Sequence, residues 1–117
     1  MSDHRAIIAA YTDAWNAPDD TASRAKLKAV WRDDSIYTDP TVSVTGVDVL
    51  VRHIAGVRTR RRNTRIVLTS AIDAHHDVLR FSWQRVNADG SLVIGGIDIA
   101  MIKDGYIGRM IGFFDII

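Results

Sequence analysis

Along the first half of the chain apolar residues recur with helical spacing, and along the second half they alternate with polar ones. From Asp3 to Asn16 the positions Ile7, Ile8, Tyr11, Ala14 and Trp15 fall on one helical face, so Tyr11 and Trp15 point the same way. Asn16-Ala17-Pro18 stops that helix, and Asp19 or Asp20 offers an oxygen to the free amides that start the next. The second helix is expected to reach about Trp31, with Leu27, Val30 and Trp31 inward. After Arg32-Asp33-Asp34, the alternation from Ser35 to Asp39 predicts a strand carrying Tyr37 and Asp39 on one face. Pro40 keeps Asp39 extended, because its ring crowds a helical conformation in the preceding residue. Thr45-Gly46-Val47-Asp48 resembles a capping box, and Val47, Leu50, Val51 and Ile54 then predict a third helix that frays into Gly56.

From Thr64 onward the period is two, which predicts strands near 64–75, 77–87, 91–102 and 105–115. Asn87-Ala88-Asp89-Gly90 and Lys103-Asp104-Gly105 are short polar connections with glycine, as antiparallel hairpins require, so the last strands are expected to form a meander. Helices first and strands afterwards define an α+β fold with the helices over one sheet face.

Composition narrows the picture. A chain of 117 residues is expected to form one domain spanning 1–117, and 47% hydrophobic residues suffice for a core that includes a small pocket. Fifteen Lys and Arg against fourteen Asp and Glu give a net charge of +1, which argues against nucleic acid or an anionic membrane as the main partner. With no cysteine, disulfides and thiolate metal sites are excluded. The N-terminus lacks the pattern of a signal peptide and no run reaches transmembrane length, so a cytoplasmic location is expected.

One residue breaks the apolar pattern. Asp98 lies within Gly95-Gly96-Ile97-Asp98-Ile99-Ala100-Met101-Ile102, where an unpaired carboxylate would be costly to bury. Such a group raises its pKa, becomes neutral and turns into a hydrogen-bond donor of the kind that stabilises oxyanions. The alternative is a structural acid satisfied by backbone amides or by an arginine such as Arg85 or Arg109. Asp39 on its own reads equally well as a turn residue before proline.

Tyr11 within Ala10-Tyr11-Thr12-Asp13-Ala14-Trp15-Asn16, the Asp39-Pro40 pair closing the first strand, and Asp98 in the late strand together resemble the NTF2-like superfamily, and within it the SnoaL-like proteins and ketosteroid isomerases. The resemblance covers nearly the whole chain. It implies an NTF2-like cone, in which three N-terminal helices pack into a strongly curved antiparallel sheet. It also implies catalytic roles: Asp39 as general base, with Tyr11 and a protonated Asp98 as donors to the enolate oxygen, the acid being held neutral by its apolar site as in that family. The reaction implied is enolisation and isomerisation of a carbonyl compound without a cofactor. An aldol cyclisation of the polyketide cyclase type, or noncatalytic binding of a small ligand, would use the same cavity.

The remaining candidates are weighed beside these. Trp15, Tyr37, Trp83 and Phe113 are expected around the substrate, and the bulk of Trp15, Tyr37 and Trp83 favours a small hydrophobic carbonyl-containing ligand over a steroid-sized one. Arg58, Arg60, Arg61, Arg62 and Arg65 suit an anionic substrate tail or a phosphate, but a solvated loop between the third helix and the sheet is the simpler expectation. No aromatic residue interleaves that run, as single-stranded nucleic acid would require. His75 and His76, adjacent in a strand, are expected on opposite faces and hence not on a shared metal. His53 is read as a boundary residue of the third helix. Strands 91–102 and 105–115 carry apolar residues on both faces, which points to a homodimer.

Overall fold

Aspartate, proline and glycine set where the helices begin and end. In a computed structural model that describes residues 3–115, α1 spans His4–Asn16 and opens with Asp3 Oδ1 accepting from the Arg5 amide at 2.9 Å. α2, Asp20–Lys28, is capped by Asp19, whose Oδ1 accepts from the Ala22 amide at 2.9 Å. α2 stops earlier than the expected Trp31. The Ala29 and Val30 amides turn back onto the Lys26 and Leu27 carbonyls, and Trp31 opens strand β1, Trp31–Thr38. Its ring still reaches the core and stacks near Tyr11, with ring centres 6.1 Å apart.

After the short β2, Ser43–Thr45, α3 runs over Val47–Arg60. The expected capping box is absent: the N-cap is Gly46, with φ 91° and no side-chain bond to the helix. A side chain at Gly46 would be strained by that φ and would also press on the Asp33 carbonyl. α3 continues through Gly56, so Arg58 and Arg60 belong to the helix, not to a solvated loop.

The strands that follow are β3, Thr64–Leu68; β4, Asp73–His75; β5, Val78–Asn87; β6, Leu92–Lys103; and β7, Tyr106–Phe114. The expected single strand near 64–75 is two pieces, both paired with the long β5. His75 ends β4, and His76 and Asp77 adopt positive φ in the turn. The two histidines therefore do not diverge; their Nδ1 atoms are 3.1 Å apart.

The curved sheet has the order β2-β1-β7-β6-β5-β3. It is mixed, not wholly antiparallel, because β1 pairs parallel with β7. Short hairpins force antiparallel pairing on sequential strands, but nothing imposes it on two strands separated by most of the fold. The meander β5-β6-β7 is antiparallel, with Leu79, Phe81, Trp83 and Arg85 of β5 facing inward opposite Ala100, Asp98, Gly96 and Ile94 of β6. The helices cover this inner face, with Ile8, Leu27, Leu50 and Ile54 fully buried against Leu79, Ile107 and Met110. Asn16 fastens the end of α1 to the edge strand β3, its side chain accepting from the Ile66 amide at 2.7 Å and donating to the Ile66 carbonyl at 2.9 Å. Among the described residues no helix is long and apolar enough to cross a membrane.

Candidate active site

Helices and sheet leave a cavity of about 250 Å³ between them, just below the roughly 300 Å³ at which ordinary ligand pockets begin. Tyr11, Trp15, Tyr37, Asp39, Trp83 and Asp98 all line it. Phe113 does not. It faces outward opposite Ile97 and is 55% exposed, whereas Phe114, opposite Gly96, lines the cavity and meets Trp83 edge to face.

Asp98 is held by its strand neighbours. Trp83 is paired with Gly96, and a Cβ on Gly96 would collide with the Phe113 carbonyl and lie 2.7 Å from the Trp83 ring, so glycine leaves the indole its room beside β6. From there Trp83 Nε1 donates to Asp98 Oδ1 at 2.9 Å. The partner of Asp98 is thus an indole and neither of the arginines considered from sequence. Arg109 is exposed and paired with Met101. Burial pushes the Asp98 carboxyl up to about 7; the Trp83 N–H opposes this, and the charge on Asp39 adds to it. Burial thus favours the protonated acid, and Oδ2, the oxygen the indole does not meet, is the one left to carry the proton.

Asp39 lies just beyond β1 and collects four donors. Tyr37 Oη donates to Oδ2 at 2.6 Å, while Oδ1 accepts from the Thr41 amide, the Thr41 hydroxyl and the Val42 amide at 2.7, 2.7 and 3.1 Å. Burial alone would raise its pKa, but these donors outweigh it and hold the carboxyl below its usual value. Gly112 separates the two acids: a Cβ there would sit 3.0 Å from Asp98 Oδ1 and 3.6 Å from Asp39 Cβ. No spacing rule marks Gly112 in the sequence, and its role emerges only when β1, β6 and β7 lie side by side.

His53 is a pocket residue and not a boundary residue of α3. Its ring packs against Trp15 and Tyr37 at 5.7 and 5.5 Å, and Nε2 lies 3.6 Å from Asp39 Oδ2. Burial lowers its pKa below 6.5 against the opposing charge of Asp39, so the imidazole is neutral at pH 7. The Tyr11 phenol lines the cavity beside Trp15, whose side chain hydrogen-bonds to its oxygen and opposes the rise in its pKa. Burial and the nearby Asp98 charge raise its pKa well above 10, which keeps it a donor. Arg60 and Arg61 stand at the cavity wall with the buried Arg85. Among the described residues no cluster of three metal-ligating side chains occurs.

The arrangement therefore brings a phenol, a carboxyl of raised pKa, a carboxyl of lowered pKa and a neutral imidazole to one chamber. Known structures share the frame. A candidate isomerase of the SnoaL-like family from Agrobacterium tumefaciens is 31% identical, with a TM-score of 0.90 over 96% of this chain and 97% of that one. A candidate polyketide cyclase from Sinorhizobium meliloti is 20% identical, with a TM-score of 0.69 over 91% and 92% of the two chains. A protein of ketosteroid isomerase-like fold from Catenulispora acidiphila, solved with trimethylamine, is 13% identical, with a TM-score of 0.76 over 99% and 88%. No protein-family model and no curated protein matches. The chain belongs to the SnoaL-like family, and its architecture is the α+β NTF2-like cone.

Proposed function

We propose that the protein is a cofactor-independent proton-transfer enzyme that enolises a small carbonyl compound, as a ketosteroid isomerase does. One observation carries this reading: two carboxyl groups on one cavity have their pKa values pushed in opposite directions, which separates a base from an acid. Asp39 removes the proton beside the carbonyl, and Tyr11 with protonated Asp98 donates to the oxygen as negative charge gathers there. Returning the proton to the γ-carbon moves the double bond and completes an isomerisation. The same enolate attacking a second carbonyl would give the aldol cyclisation of a polyketide cyclase.

The four donors on Asp39 weaken it as a base, and this favours a second assignment within the same mechanism. Neutral His53 takes the proton, and Asp39 orients it and stabilises the imidazolium. Turnover of a β,γ-unsaturated ketone by wild type, Asp39→Asn and His53→Gln, followed against pH, separates the two. With Asp39 as base, activity declines on acidification only below the ordinary carboxylate range. With His53 as base, it declines below the ordinary histidine value of 6.5. If the wild type is inert on ketones yet binds phenols, the family frame serves as a ligand-binding domain.

We further propose a homodimer formed through the outer sheet face, where the cross-strand pair Ile97 and Phe113 is 38% and 55% exposed and Met101, further along the same face of β6, is 44% exposed. Sedimentation equilibrium should return the mass of two chains, and Phe113→Asp should return one; a wild-type monomer refutes it.

A further inference from the structure

The inner face of β5 changes from apolar to charged along its length: Leu79, Phe81, Trp83, then Arg85. Arg85 is 7% exposed, a depth at which arginine ordinarily has a carboxylate partner. Its Nη1 donates to the Thr64 hydroxyl at 2.9 Å. Among the described residues, however, no carboxylate lies within 4 Å of Arg85, Arg60 or Arg61. Nor is any nitrogen of Arg85 both sealed from solvent and unbonded, so its remaining donors reach open space.

Two cavities meet at that point. Arg85 and Arg61 line both the chamber of Asp39 and Asp98 and an adjoining one of about 210 Å³. The adjoining chamber is walled in part by Arg58 and Arg62 and by no acidic residue. Arg58 is engaged by Asp20 at 2.8 Å, but Arg61 and Arg62 have no acidic partner among the described residues. Burial lowers the pKa of Arg85 and the like charge of Arg61 lowers it further, so an anion held between them would relieve both costs.

We propose that Arg85, with Arg61 and Arg60 beside it, forms an anion-binding subsite at the junction of the two cavities, so that the ligand carries a carboxylate or phosphate group as well as the group met by Tyr11 and Asp98. A guanidinium fork matches either oxyanion through paired N–H donors. The small chamber bounds the distance between anion and reacting carbonyl, which makes a short keto acid or a phosphorylated ketone the substrate class. That last step rests on the enolisation reading; the subsite does not.

The test uses benzoate and its neutral isostere benzamide, neither of which can enolise or act as a phenol, with binding followed by calorimetry and by quenching of Trp15 and Trp83. Wild type should bind benzoate at least about tenfold more tightly than benzamide, as expected for a charge-assisted pair. Arg85→Gln should reduce that ratio to below about threefold and leave benzamide affinity within about twofold. A wild-type ratio near one, or an undiminished ratio in Arg85→Gln, overturns the subsite. Should Arg85→Gln fail to fold, the exposed Arg61→Gln replaces it, with a loss of about threefold in benzoate affinity expected and no loss overturning the proposal. Phenyl phosphate distinguishes the sources: tighter binding than benzoate assigns a phosphate, and weaker binding a carboxylate. A protein that is selective for benzoate but inert on ketones keeps the subsite and loses the isomerase. One that turns over neutral ketones with no benzoate preference does the reverse.

Discussion

Asp39 and Asp98 each keep 8% of their surface, face the same cavity and acquire opposite acidities. Surface exposure by itself therefore does not separate them; enclosure by surrounding atoms and hydrogen bonding do. Asp98 projects from the middle of β6 and receives one donor, the Trp83 indole; Asp39 follows the end of β1, where a turn presents two amides and a hydroxyl, and Tyr37 adds a second hydroxyl. A strand interior has already committed its amides to the ladder, whereas a turn has amides to spare. Deeper enclosure raises the Asp98 carboxyl, and four donors hold the Asp39 carboxyl down.

The largest test of this comparison is kinetic. Asp39→Asn should lower kcat/KM for an accepted carbonyl substrate by roughly 10²- to 10⁴-fold, whereas Asp98→Asn, which keeps an N–H donor in place of the acid, should cost about tenfold. Equal losses would falsify the division of roles. Tyr11→Phe should cost about 10² to 10³, seen in kcat with little change in KM.

Stability against pH comes next. Between 3.8 and about 7 the folded chain holds on Asp98 a proton that the unfolded chain has released, so stability falls as pH rises through that window. At about 1.4 kcal/mol per unit, the loss between pH 4 and 8 should be about 2–4 kcal/mol. Asp98→Asn should flatten that part of a urea-denaturation series. Asp39 has the opposite sign: its depressed pKa contributes stability above 3.8 that is lost on further acidification.

A methyl group between the acids is a milder perturbation. Gly112→Ala should destabilise the fold by about 1–3 kcal/mol in thermal or chemical denaturation, since the added carbon meets Asp98 Oδ1 at 3.0 Å. The smallest effect is expected from Tyr37→Phe. Removing one of four donors should raise the Asp39 pKa, readable from its carboxyl carbon in an NMR titration.

Much of this was legible in the chain. Strict alternation from Ser35 placed Tyr37 and Asp39 on one face, and their 2.6 Å bond follows from that parity. The isolated acid among isoleucines marked Asp98. Phe113 was misplaced because Phe113 and Phe114 are adjacent and both apolar, so alternation says that one faces outward without saying which. Arg85 was considered only as a partner for Asp98, and nothing near it in sequence reveals that the end of α3 delivers Arg60 and Arg61 to the same wall. His53 looked like a boundary residue because the helical pattern does not disclose that Trp15 and Tyr37 close over it.

The sequence by itself determined the three helices, the late meander and the chemical types on the cavity wall, because local periodicity and turn chemistry act over a few residues. Tertiary structure alone decided the parallel β1–β7 pairing, the glycine between two acids and an arginine that meets no carboxylate among the described residues. Those depend on which residues from distant segments become neighbours, and proximity in space sets both the donors a carboxyl receives and the charge a guanidinium lacks.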